Sequence, residues 1–188
     1  MQQRELVGTL DYLAERGVSV FSLKMLRSYF LSDTTASLKQ SLKRAETQGL
    51  IERPCRGIYT YSRGFSSNPA KLESIAAVLR AGKYSYVSLE TALSEFSIIS
   101  QMTVGRLTVM TTGRTQTYST PYGTIEFIHT KRSDSDIIEN TQKVDGRPLR
   151  LATPQTAYED LKRVNRNIHM VDMDTYLEIL NEENKPAG

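Results

Sequence analysis

The 188-residue sequence contains little of the chemistry that builds metal sites or covalent frameworks. It has one cysteine, Cys55, no tryptophan, and two histidines, His129 and His169. A single cysteine excludes an internal disulfide framework and a clustered thiolate metal site. Two histidines in separate predicted elements, without clustered carboxylates, make a poor metal site. No apolar run reaches the roughly 18 residues of a transmembrane helix, so the sequence excludes a membrane-spanning protein.

The net charge is small but unevenly distributed. The chain carries 24 Lys and Arg against 21 Asp and Glu, a net charge of +3 that is too mild to indicate a nucleic-acid partner by itself. Residues 1–64, however, hold ten basic and six acidic residues (+4), whereas residues 65–188 hold 14 basic and 15 acidic residues (−1). Such asymmetry suggests two parts with different partners. The chain starts with an amphipathic pattern and not with the apolar core of a signal peptide, so we expect a cytoplasmic protein.

The first third of the chain has the element order of a winged helix-turn-helix. Apolar residues at helical spacing predict three helices, built around Leu6, Leu10 and Leu13, around Leu23, Leu26 and Phe30, and around Leu38, Leu42 and Ala45. Predicted caps flank these helices: Ser22 and Asp33 at N-termini, and Gly17 and Gly49 at C-termini. Val18 and Val20 predict a short strand, and the runs on either side of the loop Pro54-Cys55-Arg56-Gly57 predict a hairpin.

We therefore predict an α+β fold class, with a winged helix-turn-helix over residues 1–64 followed by a mixed α+β domain over residues 65–188. The predicted linker is polar and contains Gly and Pro, with the sequence Arg63-Gly64-Phe65-Ser66-Ser67-Asn68-Pro69. Strands rich in β-branched and aromatic residues follow at 107–111 and 123–129. A hairpin through Asp145-Gly146, a helix capped by Ser88, a helix from Thr153-Pro154 to about Val164, and a last helix around Met173 and Leu180 complete the prediction.

The outward face of the third helix carries the functional prediction. Opposite its apolar residues it is small, polar and basic, which suits a recognition helix because short side chains let the backbone approach the major groove. Gln40 can pair with adenine and Lys39 with guanine, while the other cations suit phosphates. Arg56 in the hairpin loop suits the minor groove or the backbone. The predicted DNA contacts are Lys24, Arg27, Thr35, Ser37, Lys39, Gln40, Lys43, Arg44, Arg53 and Arg56.

Simpler explanations exist for each of these features. Exposed lysines usually only keep a protein soluble, and winged helices also serve as protein-interaction modules. Catalysis finds little support, because convergent acid, base and nucleophile groups are missing, and no cofactor motif occurs. Cys55 lies near Arg53 and Arg56, which we expect to lower the pKa of its thiol, but a lone cysteine is usually incidental. The nuclease-like Glu183-Asn184-Lys185 lies in a polar tail. We predict a protein that is not an enzyme.

Three short blocks, in this order, resemble the AbiEi family of antitoxins. They are Gly49-Leu50-Ile51-Glu52-Arg53 with Arg56-Gly57-Ile58-Tyr59, then Tyr86-Val87-Ser88-Leu89-Glu90-Thr91-Ala92-Leu93, then Leu151-Ala152-Thr153-Pro154-Gln155-Thr156-Ala157-Tyr158. The resemblance implies an N-terminal winged helix that represses its own operon by binding double-stranded operator DNA with inverted repeats. It also implies a C-terminal domain that counters a nucleotidyltransferase-like toxin in a type IV system of phage defence, without a stable antitoxin–toxin complex.

Three classes of function therefore compete at the level of sequence. The first is the autorepressing antitoxin. The second is a stand-alone winged-helix transcriptional regulator whose C-terminal domain senses a ligand or a protein partner. The third is an interaction module that binds no DNA. A neighbouring toxin gene would separate the first from the second, and salt-dependent operator binding would exclude the third.

Overall fold

The structure is a computed structural model that describes residues 3–100 and 104–183. Its contacts divide the chain into two compact units, Met1–Leu79 with Thr120–Tyr122, and Arg80–Ser119 with Gly123–Gly188. The first unit extends beyond the expected boundary after residue 64 because the helix Lys71–Leu79 packs on strands of that unit. The boundary at residue 64 stays a prediction about which part of the chain folds independently.

The first unit contains the predicted winged helix-turn-helix. Its elements are α1 (Gln3–Ala14), β1 (Val20–Ser22), α2 (Leu23–Tyr29), α3 (Thr35–Thr47), β2 (Ile51–Cys55), β3 (Ile58–Tyr61), α4 (Ser62–Phe65) and α5 (Lys71–Leu79). The strands form an antiparallel sheet in the order β1-β3-β2. The apolar faces of α1, α2 and α3 meet in one core, which includes Leu6, Leu10, Leu26, Leu38 and Leu42. The helical spacing in the sequence thus predicted this core correctly.

Side-chain capping in the first unit confirms one prediction and corrects another. The hydroxyl of Ser22 accepts a hydrogen bond of 3.0 Å from the backbone N–H of Met25, as predicted for the start of α2. The cap of α3 is Thr34 and not Asp33, because Thr34 Oγ1 accepts from the N–H of Ser37 at 3.1 Å. The Asp33 carboxylate instead accepts from the Ser37 hydroxyl at 3.2 Å. The predicted cap was therefore wrong by one position.

The predicted linker is partly structured. Ser62–Phe65 is helical, and Phe65 is buried with its ring edge-to-face against Tyr122, with 5.2 Å between the ring centroids. Asn68 then accepts from the N–H of Ala70 at 2.8 Å just before α5. The polar composition of this stretch predicted an exposed linker. The buried side chain of Phe65 instead packs this segment against the first unit.

The second unit is a mixed sheet with helices, as the α+β prediction requires. Its elements are β4 (Ser85–Val87), α6 (Leu89–Glu95), β5 (Arg106–Thr111), β6 (Gln116–Thr120), β7 (Gly123–His129), α7 (Asp134–Glu139), β8 (Thr141–Gln142), β9 (Arg150–Ala152), α8 (Pro154–Val164), a 3₁₀ turn (Ile168–Met170) and α9 (Met173–Glu183). The strand order is β6-β7-β5-β4-β9-β8. Strand β4 pairs antiparallel with β5 and parallel with β9, and β5 pairs parallel with β7.

Several expectations for the second unit hold and several fail. Helix α8 begins at Pro154 under the predicted Thr153 cap and ends at the predicted Val164. The sequence prediction missed β6 and α7. The hairpin around Asp145-Gly146 exists, but it joins β8 to β9 through the longer loop 143–149. Ser88 holds the N-cap position of α6, but its hydroxyl oxygen accepts no hydrogen bond from the N–H groups of the helix, which corrects its assignment as a side-chain cap.

Among the helices within 3–100 and 104–183, none combines the length and the apolar character that crossing a bilayer demands.

Candidate nucleic-acid interface

Helix α3 is held in the first unit by an apolar stripe and by its Thr34 cap. Leu38, Leu42 and Ala45 are buried, and Ser41 is buried beside them. This arrangement fixes which side of α3 points outward. A helix that is buried along one stripe presents the opposite positions to solvent, so the polar residues between these anchors lie on the open face.

The open face of α3 carries the predicted contact residues. Ala36, Gln40, Lys43 and Thr47 are all exposed, as are the flanking Lys39 and Arg44. Thr35 and Ser37 are half-buried at the first turn, and the Ser37 hydroxyl is bonded to Asp33. Acidic residues are missing from α3 before Glu46. The structure therefore places a small, basic and amide-bearing surface on this helix, with Ser37 engaged in the local capping.

Helix α2 contributes two further cations. Lys24 and Arg27 are exposed, while Leu26 between them is buried. The turn between α2 and α3 contains Asp33, whose N–H donates to the carbonyl of Phe30 at 3.2 Å. In helix-turn-helix proteins the helix before the recognition helix crosses the DNA backbone. Lys24 and Arg27 thus stand on the element that suits phosphate contact.

The β2–β3 hairpin forms the wing. Cys55 pairs with Ile58, so Arg56 and Gly57 make a two-residue turn. Gly57 has a φ of +81°, a left-handed conformation that glycine adopts without steric cost. Arg53 and Arg56 are both exposed. The predicted hairpin and the exposure of its two arginines are therefore present in the structure.

The thiol of Cys55 differs from its sequence-based expectation. Cys55 is free and half-buried in the wing. Burial raises the pKa of this thiol above its usual value, and the opposing influence of Arg53 is smaller. The expectation that neighbouring arginines lower the pKa was wrong because desolvation of the thiolate outweighs their attraction. Cys55 consequently lacks the depressed pKa of a reactive thiol.

Tyr122 lies near the wing, and no pattern in the sequence singled it out. Its hydroxyl donates a hydrogen bond to the carboxylate of Glu52 on β2, beside the wing arginines. Burial, followed by the bond to Glu52, raises the pKa of Tyr122 to about 12. Seventy positions separate the two residues, so local patterning carried no signal for this contact. The bond orients the one acidic side chain of β2, adjacent to Arg53.

His129, one of the two histidines of the chain, makes a local contact in the second unit. His129 Nδ1 lies 2.9 Å from the carbonyl of Gly113, and this contact requires the proton on Nδ1 because a carbonyl only accepts. Within the described ranges, no group of three or more His, Cys, Asp or Glu side chains is arranged to hold a metal ion. In the Glu183-Asn184-Lys185 stretch, Asn184 and Lys185 lie outside the described residues.

Comparison with solved structures supports the fold. The crystal structure of the RV2827C protein from Mycobacterium tuberculosis matches this chain with a TM-score of 0.50 and 13% sequence identity. The match covers 81% of this chain and 58% of that chain, so the protein described here spans less than two thirds of that relative's length. At this identity the likeness shows a shared fold alone.

Comparisons at the level of sequence find a similarity within the first unit. No curated protein matches the chain. Residues 9–62 match the family model described as transcriptional regulator, AbiEi antitoxin. That range runs from α1 to the end of the wing and contains all ten predicted contact residues. The match agrees with the resemblance predicted from the sequence blocks, and it shows that the segment 9–62 is similar to the AbiEi antitoxin family of transcriptional regulators.

Proposed function

We propose that this protein is a cytoplasmic DNA-binding antitoxin that represses its own operon and counteracts a nucleotidyltransferase-like toxin encoded beside it. The observation that carries the proposal is the outward face of α3, where Lys39, Gln40, Lys43 and Arg44 are exposed together on the second helix of a helix-turn-helix. The family match over residues 9–62 adds that this segment resembles transcriptional regulators. The role is that of a regulator and not of an enzyme.

In the proposed complex, α3 enters the major groove and reads base edges. Gln40 reaches adenine through its bidentate amide, and Lys39 reaches the acceptors of guanine. Lys43 and Arg44 bind phosphates, and Thr35 and Ser37 lie at the helix N-terminus, where backbone N–H groups favour a phosphate. Helix α3 thus carries the amide of Gln40 to read a base and cations on either side of it to bind the phosphates of the DNA backbone.

The elements on either side of α3 supply the rest of the proposed contact. Lys24 and Arg27 on α2 bind the DNA backbone as that helix crosses it. Arg53 and Arg56 on the wing bind the adjacent minor groove or backbone, and the left-handed Gly57 keeps the wing turn tight. The expected target is double-stranded operator DNA with inverted repeats in the region upstream of the gene.

The antitoxin half of the proposal is assigned to the second unit. Its support is the family description over residues 9–62 and the separate compact fold of the remainder. In a type IV arrangement, the antitoxin opposes the effect of the toxin without a stable complex. We therefore expect rescue of growth without co-purification of the two proteins.

The first test is a gel shift of the full chain with its own upstream DNA. We expect a discrete complex at low salt that survives excess unrelated duplex and weakens steeply as salt rises. A variant with Gln40→Ala and Lys43→Ala should lose the complex. The matched control is Lys83→Ala, which removes an exposed cation from the second unit. Absence of a complex at low salt would contradict the DNA-binding proposal.

The second test separates repression from antitoxicity in cells. The neighbouring gene is expressed with and without the full chain, beside a reporter under the upstream promoter. We expect wild type to repress the reporter and rescue growth, and Gln40→Ala/Lys43→Ala to rescue growth without repressing. If the neighbouring product is harmless, or if the wild type leaves its toxicity unchanged, the antitoxin role is wrong while the DNA-binding role stands.

A further inference from the structure

The second unit contains a cavity that the proposed function does not use. Its volume is about 500 Å³, within the range of about 300–1,000 Å³ that is typical of small-molecule pockets. It lies between the end of β7, the start of α7 and the last turn of α8. The lining residues are His129, Lys131, Arg132, Asp136, Arg163 and Val164. The lining holds three permanent cations and one carboxylate, and two carboxylates outside the lining, Glu159 and Asp160, also pair with Arg132.

One of these cations belongs to the framework of the cavity. The Arg132 side chain is only 8% exposed and is surrounded by carboxylates. Its Nε donates to Asp160 at 3.3 Å, its Nη1 to both oxygens of Asp136 at 3.3 Å, and its Nη2 to Glu159 at 3.2 Å. These bonds occupy every nitrogen of the guanidinium. Arg132 therefore forms a rigid wall and holds Asp136 in place.

The other two cations are available to a ligand. Lys131 is exposed, and within 3–100 and 104–183 no carboxylate pairs with its ammonium group. Arg163 Nη1 lies 3.9 Å from Asp160 Oδ1, beyond hydrogen-bonding distance, and its side chain is 49% exposed. His129 uses Nδ1 on the Gly113 carbonyl, which leaves Nε2 as its second hydrogen-bonding atom. A lysine, an arginine and an imidazole thus line one concave surface with unused hydrogen-bonding capacity.

We propose that this cavity binds a small phosphorylated molecule of about nucleotide size, with Lys131 and Arg163 as the phosphate ligands. An arginine fork and a lysine point charge together match the several oxygens and the double negative charge of a phosphate group better than a single carboxylate. His129 Nε2, which accepts, can take a hydrogen bond from a hydroxyl group of the ligand, and Val164 supplies an apolar wall for the rest of the ligand. The volume of about 500 Å³ suits a small molecule.

This inference goes beyond the proposed function and does not depend on it. Repression and antitoxicity are assigned to α2, α3 and the wing, and to the second unit as a whole, with no small ligand required. A bound phosphorylated molecule would give the second unit a sensing role of its own.

The test is calorimetric titration of the full chain with sodium pyrophosphate and with adenosine triphosphate at constant ionic strength. We expect saturable binding of one molecule per chain for at least one probe. Lys131→Ala and Arg163→Ala should each weaken that binding at least about tenfold, because each removes a charged hydrogen-bond donor to phosphate. The matched control is Lys162→Ala, because the Lys162 ammonium lies 5.3 Å from the Tyr158 ring centroid, outside the cavity lining. The control should bind like wild type.

The same set of variants also shows whether each protein is folded and whether the phosphate comes from a small molecule or from a nucleic-acid duplex. Thermal melting confirms that each variant is folded. Lys131→Gln and Arg163→Gln, which keep a polar side chain at these exposed positions, replace an alanine variant that melts early. Saturable binding lost in the cavity variants and kept in Lys162→Ala supports the proposal. Absence of saturable binding for both probes would overturn it, and so would an equal loss in Lys162→Ala. Weakened binding of a random duplex by Arg163→Ala, without binding of either probe, would also overturn it in favour of a nucleic-acid surface.

Discussion

The hydroxyl of Ser88 donates a hydrogen bond of 2.9 Å to the carboxylate of Asp160, and both residues are fully buried in the second unit. The same carboxylate oxygen accepts from the hydroxyl of Tyr86 at 2.8 Å, and the other accepts from Arg132 Nε at 3.3 Å. Burial, with Asp160 next in importance, raises the pKa of Tyr86 well above its ordinary value. Asp160 on α8 thus joins β4, the start of α6 and the segment between β7 and α7 through a single side chain.

The first prediction concerns the free energy of unfolding after removal of this carboxylate. Asp160→Ala leaves Arg132 without its buried counter-ion and leaves the hydroxyls of Tyr86 and Ser88 without an acceptor. We expect a loss of about 3–5 kcal/mol, the usual cost of breaking a buried ion pair from one side. The measurement is urea unfolding monitored by circular dichroism.

A neighbouring carboxylate provides the control for this prediction. Glu159 also pairs with Arg132, at 3.2 Å, but its side chain is 46% exposed. Glu159→Ala should cost less than about 1 kcal/mol because exposed ion pairs contribute little. Equal losses in the two variants would show that burial of Asp160 does not determine its contribution.

The fate of the predicted caps shows how far local sequence reasoning reaches. Ser22 and Thr153 cap their helices as predicted, because the capping bond lies within three residues and the sequence contains both partners. Ser88 fails because a competing acceptor, Asp160, lies 72 positions away and is itself buried. Whether a hydroxyl caps a helix depends on which hydrogen-bond partners it can reach. A sequence pattern shows the nearby helix N–H groups but not a partner that lies far away in the chain.

The same reasoning explains which elements and site residues were found. Strands β5 and β7 carry the β-branched runs of buried strands, whereas β6 has the polar sequence Gln116-Thr117-Tyr118-Ser119-Thr120 at the sheet edge, where a hydrophobic pattern is not required. The exposed face of α3 followed directly from helical periodicity. The cavity around Lys131 and Arg163 did not, because it assembles residues from three elements that are far apart in the chain.

The second prediction compares two glycines that both have room for a methyl group but differ in backbone conformation. A methyl group added at Gly57 or at Gly8 would meet no atom within 4 Å, but only Gly57 has a positive φ, of +81°. Gly57→Ala should destabilise the protein by about 1 kcal/mol because L-residues disfavour the left-handed region. Gly8→Ala should stabilise it by about 0.5–1 kcal/mol, since Gly8 lies inside α1. Thermal and urea unfolding measure both, and a shift of the same sign would refute the backbone argument.

The third prediction concerns the pH dependence of stability through Glu126. Arg166 donates to its two oxygens at 2.7 and 3.1 Å, and Arg106 donates at 3.0 Å. These bonds, led by Arg166, hold the pKa of Glu126 below its usual value. A carboxylate with a lowered folded-state pKa stabilises the fold above its unfolded pKa of about 4.3, and this contribution is lost as the pH falls through the folded-state value.

Glu126→Gln removes that titration and should reduce stability at pH 7. Its difference from wild type should narrow as the pH falls from the unfolded pKa of about 4.3 through the lower folded-state pKa, because the wild-type side chain is neutralised over that interval. Urea unfolding at pH 7 and at pH 3 gives the two differences. Glu139→Gln, at an exposed end of α7, should change the free energy of unfolding by less than about 0.5 kcal/mol at pH 7. A difference for Glu126→Gln that stays constant with pH would contradict the assignment.

The fourth prediction separates base reading from phosphate binding on α3, and it rests on the proposed DNA complex. Lys43→Ala should weaken binding to specific and unrelated duplexes alike and should reduce the slope of log K against log salt by about one unit, because one phosphate contact is lost. Gln40→Ala should leave that slope unchanged and cost about 1–3 kcal/mol on the operator alone, because an amide reads a base and neutralises no phosphate. Fluorescence anisotropy over a salt series with both duplexes measures the two effects. If Gln40→Ala weakened the unrelated duplex as much as the operator, α3 would hold DNA without reading it.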